Sequence, residues 1–134
     1  IMANTTFSGP VRSENGFDFI TKNATTGAIT TNASYDKGIT GGVQQLSGAG
    51  AVDVVNLVTE VTTTGADALT LANGTVGQIK IITMVVDGGD GTLTPTTFAN
   101  GSTITFNDAN DTVALLYANT IGWVIISNSG ATVA

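Results

Sequence analysis

Apolar positions along this chain fall in short runs separated by turn signals, and nowhere do they recur at helical spacing. The longest run is Gly77-Gln-Ile-Lys-Ile-Ile-Thr-Met-Val-Val-Asp87, whose nine inner residues are apolar or β-branched except Gln78 and Lys80. Asn73-Gly74 precedes it and Asp87-Gly-Gly-Asp-Gly91 follows it. Alternation in a strand puts Ile79, Ile81 and Val85 on one face and Ile82, Met84 and Val86 on the other. A strand apolar on both faces is buried on both. This predicts a central strand, either between two layers or at a subunit interface formed by those six residues.

The rest of the chain reads as the covering of that strand. Residues 1–50 carry scattered apolar side chains among Gly, Thr, Asn and Ser, with Pro10 after Gly9 enforcing an extended or turned backbone. Phe17–Lys22 and Gly27–Thr31 are expected as short strands joined by a turn at Asn23–Gly27. The segment lacks the apolar mass to fold well alone, which marks it as an extended arm ordered by a partner. Gly48-Ala-Gly50 separates it from residues 51–134. There, Val52–Val61 is expected as a strand with a short helix as rival, because its alternation changes phase at Leu57. A meander follows: Ala68–Leu71, the Asn73-Gly74 hairpin signal, the central strand, Thr92–Thr94 with Pro95 ending it or marking an edge, Thr103–Phe106, Thr112–Ala118 and Trp123–Ile126. About six strands at roughly ten-residue spacing predict an all-β chain. The expected form is an antiparallel β-sandwich or small barrel, jelly-roll- or tulip-like, carrying an N-terminal arm.

Composition narrows the functions open to such a fold. Charged residues make up 10% of the 134-residue chain against 42% hydrophobic, where soluble domains usually carry about 25% charge. A surface so poor in charge suits coverage by copies of itself. The net charge is −6 with four Lys and Arg in all, which excludes the clustered cations that nucleic acid requires. There is no run of the roughly 18 apolar residues that a membrane span needs, and the opening residues lack the regions of a signal peptide.

Candidate chemistry is sparse. The chain has no Cys and no His, which removes thiol catalysis, serine triads and the usual zinc sets. Glu14 and Glu60 are the only glutamates, and most aspartates stand in turn contexts, where they cap their own backbone; no enzyme activity and no cofactor are expected. Asp87–Gly91 and Asn107–Asp111 gather oxygens on tight loops, but neither matches a twelve-residue calcium loop or supplies six to eight ligands, so no metal site is expected. The Asn-X-Ser/Thr patterns, those at Asn4, Asn23, Asn32, Asn73 and Asn100 among them, follow from an Asn/Thr-rich composition. Phe98, Phe106, Tyr117 and Trp123 are expected in the core rather than stacked on sugars.

Two stretches carry a resemblance. Phe7-Ser-Gly-Pro-Val-Arg-Ser-Glu-Asn-Gly-Phe17 resembles the start of structural proteins of tailed bacteriophages, particularly those of marine bacteria. Leu69–Lys80, with Asp87-Gly-Gly89, Thr94-Pro95, Gly101–Phe106, Asp111–Tyr117 and Gly122–Ile126, is similar to a trimeric β-domain of phage head-decoration and fibre proteins. Together they cover about half the chain, and residues 23–50 match no known pattern. The resemblance implies a capsid decoration (cement) protein on the outside of the virion, a homotrimer partnered with the major capsid protein. It makes Phe7, Pro10, Val11, Arg12 and Phe17 the expected shell contacts, and Ile79, Ile81, Ile82, Met84, Val85 and Val86 the expected trimer interface. A tail or head fibre subunit that binds host carbohydrate is the alternative, although no shaft repeats are present.

Overall fold

In the computed structural model, residues 17–35 and 39–134 are described. They form thirteen strands and no helix. The chain divides into two compact units, Ile1–Gly41 and Gly42–Ala134.

The first unit holds one antiparallel sheet of β1 (Phe17–Lys22), β2 (Ile29–Tyr35) and β3 (Ile39–Gly41), with β2 in the middle. The β1–β2 hairpin turns at Asn23, whose Oδ1 accepts the N–H groups of Thr25 and Thr26, each at 2.9 Å. This is the side-chain mimicry that makes Asn a turn residue. Gly27 closes the turn at φ 72°.

The second unit is two five-stranded sheets packed on one core. The first has the order β13-β10-β9-β7-β5 and is called the threonine sheet below. It comprises β5 (Gly50–Val52), β7 (Asp67–Leu71), β9 (Gly91–Pro95), β10 (Ile104–Phe106) and β13 (Thr132–Val133). The second, the valine sheet, has the order β12-β11-β8-β6-β4. It comprises β4 (Val43–Ser47), β6 (Val58–Thr62), β8 (Ile79–Val86), β11 (Thr112–Ala118) and β12 (Gly122–Ser129).

Chain order explains why each sheet is mixed. From β4 to β9 the chain crosses to the other sheet after every strand. Like strands of successive turns therefore pair in parallel: β4 with β6, β6 with β8, β5 with β7 and β7 with β9. Only then does it fold back through the antiparallel neighbours β9–β10 and β11–β12. The expected antiparallel meander is corrected accordingly: half of the unit is a flattened coil of β-arches.

Asn73-Gly74 shows the physical reason. A type I′ hairpin turn requires positive φ at both positions, and neither residue has it. A Cβ on Gly74 would lie 2.8 Å from Cζ2 of Trp123, so this glycine allows the loop to lie against a buried ring. Trp123 is fully buried, donates from Nε1 to the Ala72 carbonyl at 2.9 Å, and meets Tyr117 edge-on at 5.1 Å.

The expected strand over Val52–Val61 is split. Asp53–Leu57 is the arch that carries the chain from β5 to β6, and its phase break at Leu57 marks that crossing. Residues 43–50, grouped with the arm from sequence, supply edge strand β4 and the first residue of β5.

Candidate functional site

Two places in the second unit concentrate unusual chemistry: the outer face of the valine sheet and the loop end beside β8.

Strand β8 lies in the middle of the valine sheet, and its residues alternate between core and outside. Lys80, Ile82 and Met84 point inward and have no exposed surface. Ile79, Ile81 and Thr83 point outward. Register extends this outer face across the sheet. One row reads Val43, Val58, Ile81, Ala114 and ends on β12 at the polar Ser127, and a second reads Ile79, Leu116, Val124. The next row toward the C-terminal end of β8 is polar: Gln45, Glu60, Thr83, Thr112. Its members satisfy one another, Gln45 Nε2 donating to Glu60 and the Thr83 and Thr112 hydroxyls sharing a 2.7 Å hydrogen bond. An open sheet normally turns polar residues outward; here two rows of β-branched and Leu side chains stand half-exposed instead.

Of the six residues expected at an interface, Ile82 and Met84 are corrected. Both are fully buried in the core of their own chain and have no surface to offer another. Val86 also leaves the face assigned to it. The pairing of β6 with β8 slips between Val61 and Thr62, with Met84 and Val86 as successive partners. The unpaired Val85 is a bulge residue, and Val85 and Val86 are both exposed. Ile79 and Ile81 share one face, as expected, and that face is turned outward. Phe7, Pro10, Val11 and Arg12 lie outside the described residues, and Phe17 is the first residue of β1.

At the N-terminal end of β8 a polar network fills the space under the Asp53–Leu57 arch. Lys80 Nζ donates to the Asn56 main-chain carbonyl at 2.8 Å and lies 3.6 Å from Asp53 Oδ1. Asp53 Oδ1 accepts the N–H groups of Val55 and Asn56, while its Oδ2 accepts Asn56 Nδ2 at 2.7 Å. Gln44 ties the other side: its Oε1 accepts the Asp53 N–H and the Thr59 hydroxyl, and its Nε2 donates to the Ala51 carbonyl. Gln78 Nε2 donates to the Val54 carbonyl. Burial pushes the Asp53 carboxyl upward, but hydrogen bonds from Asn56, the Lys80 charge and the Val55 N–H outweigh it and hold the group below its ordinary value. Burial likewise lowers the Lys80 ammonium, and the Asp53 charge only partly offsets it. Sequence reading missed this site because Lys80 looked like an interruption in an apolar strand. Its position two residues before Ile82, on the core-facing parity, was the available signal.

The opposite end of the sandwich gathers Asp67, Asp87, Asp90, Asp108 and Asp111, where β6, β8 and β10 end and β7, β9 and β11 begin. Most serve their own turns. Asp67 accepts the Thr64 N–H, Asp87 that of Gly89, and Asp111 those of Asn107 and Asp108. Among the described residues no group of three acidic side chains is arranged to hold a metal ion. Phe106 and Trp123 are fully buried, and Phe98 and Tyr117 pack against the core. The chain matches no protein-family model and no curated protein.

Proposed function

We propose that this chain is a structural protein of a virion: a homotrimeric decoration (cement) protein on the outer surface of a tailed-phage capsid, held to the major capsid protein. The observation that carries the reading is the apolar outer face of the valine sheet. Val43, Val58, Ile79, Ile81, Leu116 and Val124 share one outer face on a unit whose only Lys or Arg, Lys80, is buried. Covering such rows with another copy removes apolar surface from water at about 25 cal/mol per Å² and brings no cation or carboxylate into the middle of the contact. The virion assignment comes from the phage-like stretches Phe7–Phe17 and Leu69–Ile126. In this reading the shell contacts are Phe7, Pro10, Val11, Arg12 and Phe17, in the N-terminal unit, and the sandwich trimerises.

The test has two parts. Light scattering of the full chain should give three times 13.5 kDa, and the trimer should coat undecorated shells assembled from a tailed-phage major capsid protein. A monomer at micromolar concentration overturns the trimer; a trimer that ignores shells overturns the decoration role. The fibre reading would gain if the trimer bound host cells instead.

A further inference from the structure

We propose that the Lys80 amine and the Asn56 carboxamide join in an intramolecular isopeptide bond, with the Asp53 carboxylate carrying the proton between them. The proposal is independent of the decoration reading. Its basis is the way one carboxylate holds both partners. Asp53 Oδ1 lies 3.6 Å from Lys80 Nζ, and Asp53 Oδ2 accepts Asn56 Nδ2 at 2.7 Å. The amine is tied to the same residue by its 2.8 Å hydrogen bond to the Asn56 main-chain carbonyl.

The surroundings suit the chemistry. The Lys80 side chain has no exposure to solvent, so its amine is held at the site rather than solvated in bulk water. Burial also favours its neutral form, the only form that attacks an acyl carbon. Gly42 makes room for the acceptor: a Cβ there would lie 2.2 Å from Asn56 Oδ1. A carboxylate 3.6 Å from the nucleophile and hydrogen-bonded to the leaving group is the arrangement expected of a positioned general acid–base.

The step balances without a co-reactant. The neutral Lys80 Nζ attacks Asn56 Cγ and forms a tetrahedral centre. Asp53 takes the proton released by the attacking nitrogen and passes it to Asn56 Nδ2. The Cγ–Nδ2 bond breaks, ammonia leaves, and an amide links the two side chains. Asp53 ends in the state in which it began. The product ties the Asp53–Leu57 arch covalently to the central strand.

The test is mass spectrometry of the purified full chain. The expected intact mass is lower than the sequence mass by one ammonia. Trypsin acting on the denatured protein should then fail to cut after Lys80, leaving residues 38–134 as one peptide. Digestion with a second protease should yield a branched peptide joining Asn56 to Lys80. Lys80→Arg, which keeps the charge without an acylable amine, should restore the full mass, and Asp53→Ala should leave most molecules unlinked. Complete tryptic cleavage after Lys80 in the wild-type chain overturns the proposal, whatever the variants do. Loss of ammonia with Lys80 still cleavable also overturns it, because cyclisation at Asn15-Gly16, Asn73-Gly74 or Asn100-Gly101 gives the same mass. Loss of water with a branch at Asp53 overturns Asn56 as the acyl donor.

Discussion

The two outer faces of the sandwich are built on the same pleat from different side chains. On the threonine sheet one outward row reads Ala68, Thr92, Thr105, Thr132, and the next reads Ala51, Thr70, Thr94. On the valine sheet the corresponding rows are Val43, Val58, Ile81, Ala114 and Ile79, Leu116, Val124. Val and Thr have nearly the same shape and both favour strands, so the sheets themselves form equally well. The difference is a hydroxyl in place of a methyl, which lets one face stay wet and leaves the other without hydrogen bonds to water. Strand propensity therefore does not account for the apolar rows; the covering copy proposed above would.

A charge placed on each face gives the widest separation. Ile81→Asp or Leu116→Asp should dissociate the oligomer, because an unpaired charge buried in an interface costs several kcal/mol, about 3–5 by analogy with broken buried pairs. Thr70→Asp or Thr94→Asp should change stability by no more than about 0.5 kcal/mol, as exposed substitutions usually do. Ile82→Asp, one residue from Ile81 but facing the core, should unfold the chain outright. Sedimentation velocity beside circular dichroism distinguishes the three outcomes. Equal effects on both faces would break the comparison.

Residue parity is also where the sequence was and was not legible. The strands near Ile79–Val86, Ile104–Phe106, Thr112–Ala118 and Gly122–Ile126 were readable from alternation and bounding turns. The all-β class followed from the lack of helical periodicity. Sheet membership was not readable, because alternation reports which side a residue faces and says nothing about the partner strand. An arch and a hairpin carry the same Gly, Asn and Asp signals, and only the ring of Trp123 against Gly74 shows which one residues 72–78 form. The assembly face was half legible. Ile79 and Ile81 were placed together on one face, which the structure turns outward, but an apolar run alone does not say which face the chain's own second layer covers. Lys80 was the position that separated them: a buried cation identifies the side where its own chain supplies the acceptors.

Where the chain is cut should matter next most. Residues 42–134 keep β4, which pairs along its whole length with β6 from Val43↔Val58 to Ser47↔Thr62. That shorter chain should fold with cooperative thermal unfolding. Residues 51–134 lose β4, Gln44 and the Gly50–Leu69 pair of β5 with β7, and with them the acceptor that Gln44 gives to Asp53 and Thr59. This second chain should lose several kcal/mol, the sum of a lost edge strand and polar groups left unpaired, and should bind hydrophobic dyes. Equal melting of the two would show that β4 adds nothing to the valine sheet.

A smaller effect is expected at Gly74. Alanine there would put a methyl within 3 Å of the Trp123 ring and of Gln78 Oε1, an overpacking that costs about 1–3 kcal/mol. Near-ultraviolet circular dichroism of the Trp123 band should shift along with the melting temperature. The same change at Gly65, which has nothing within 4 Å of its added Cβ, should leave both unaltered.

The smallest expected effect is the pH dependence of the Asp53 network, and its sign is fixed by the direction of the shift. The folded-state pKa of Asp53 lies below its model-peptide value of 3.8. The unfolded chain therefore takes up the proton first as pH falls, and stability declines with acidification. The contribution is fully present above the unfolded value and is lost as pH falls through the lower folded one. The wild-type chain should melt above the Asp53→Ala variant at neutral pH, and the gap should close only in strongly acid solution. The direction is that of the unlinked network, in which the Asn56 backbone and side chain, the Lys80 charge and the Val55 N–H together hold the carboxylate. A gap that stayed constant into the acid range would mean that Asp53 acts through packing alone, and would remove the charged anchor from the loop end of the sandwich.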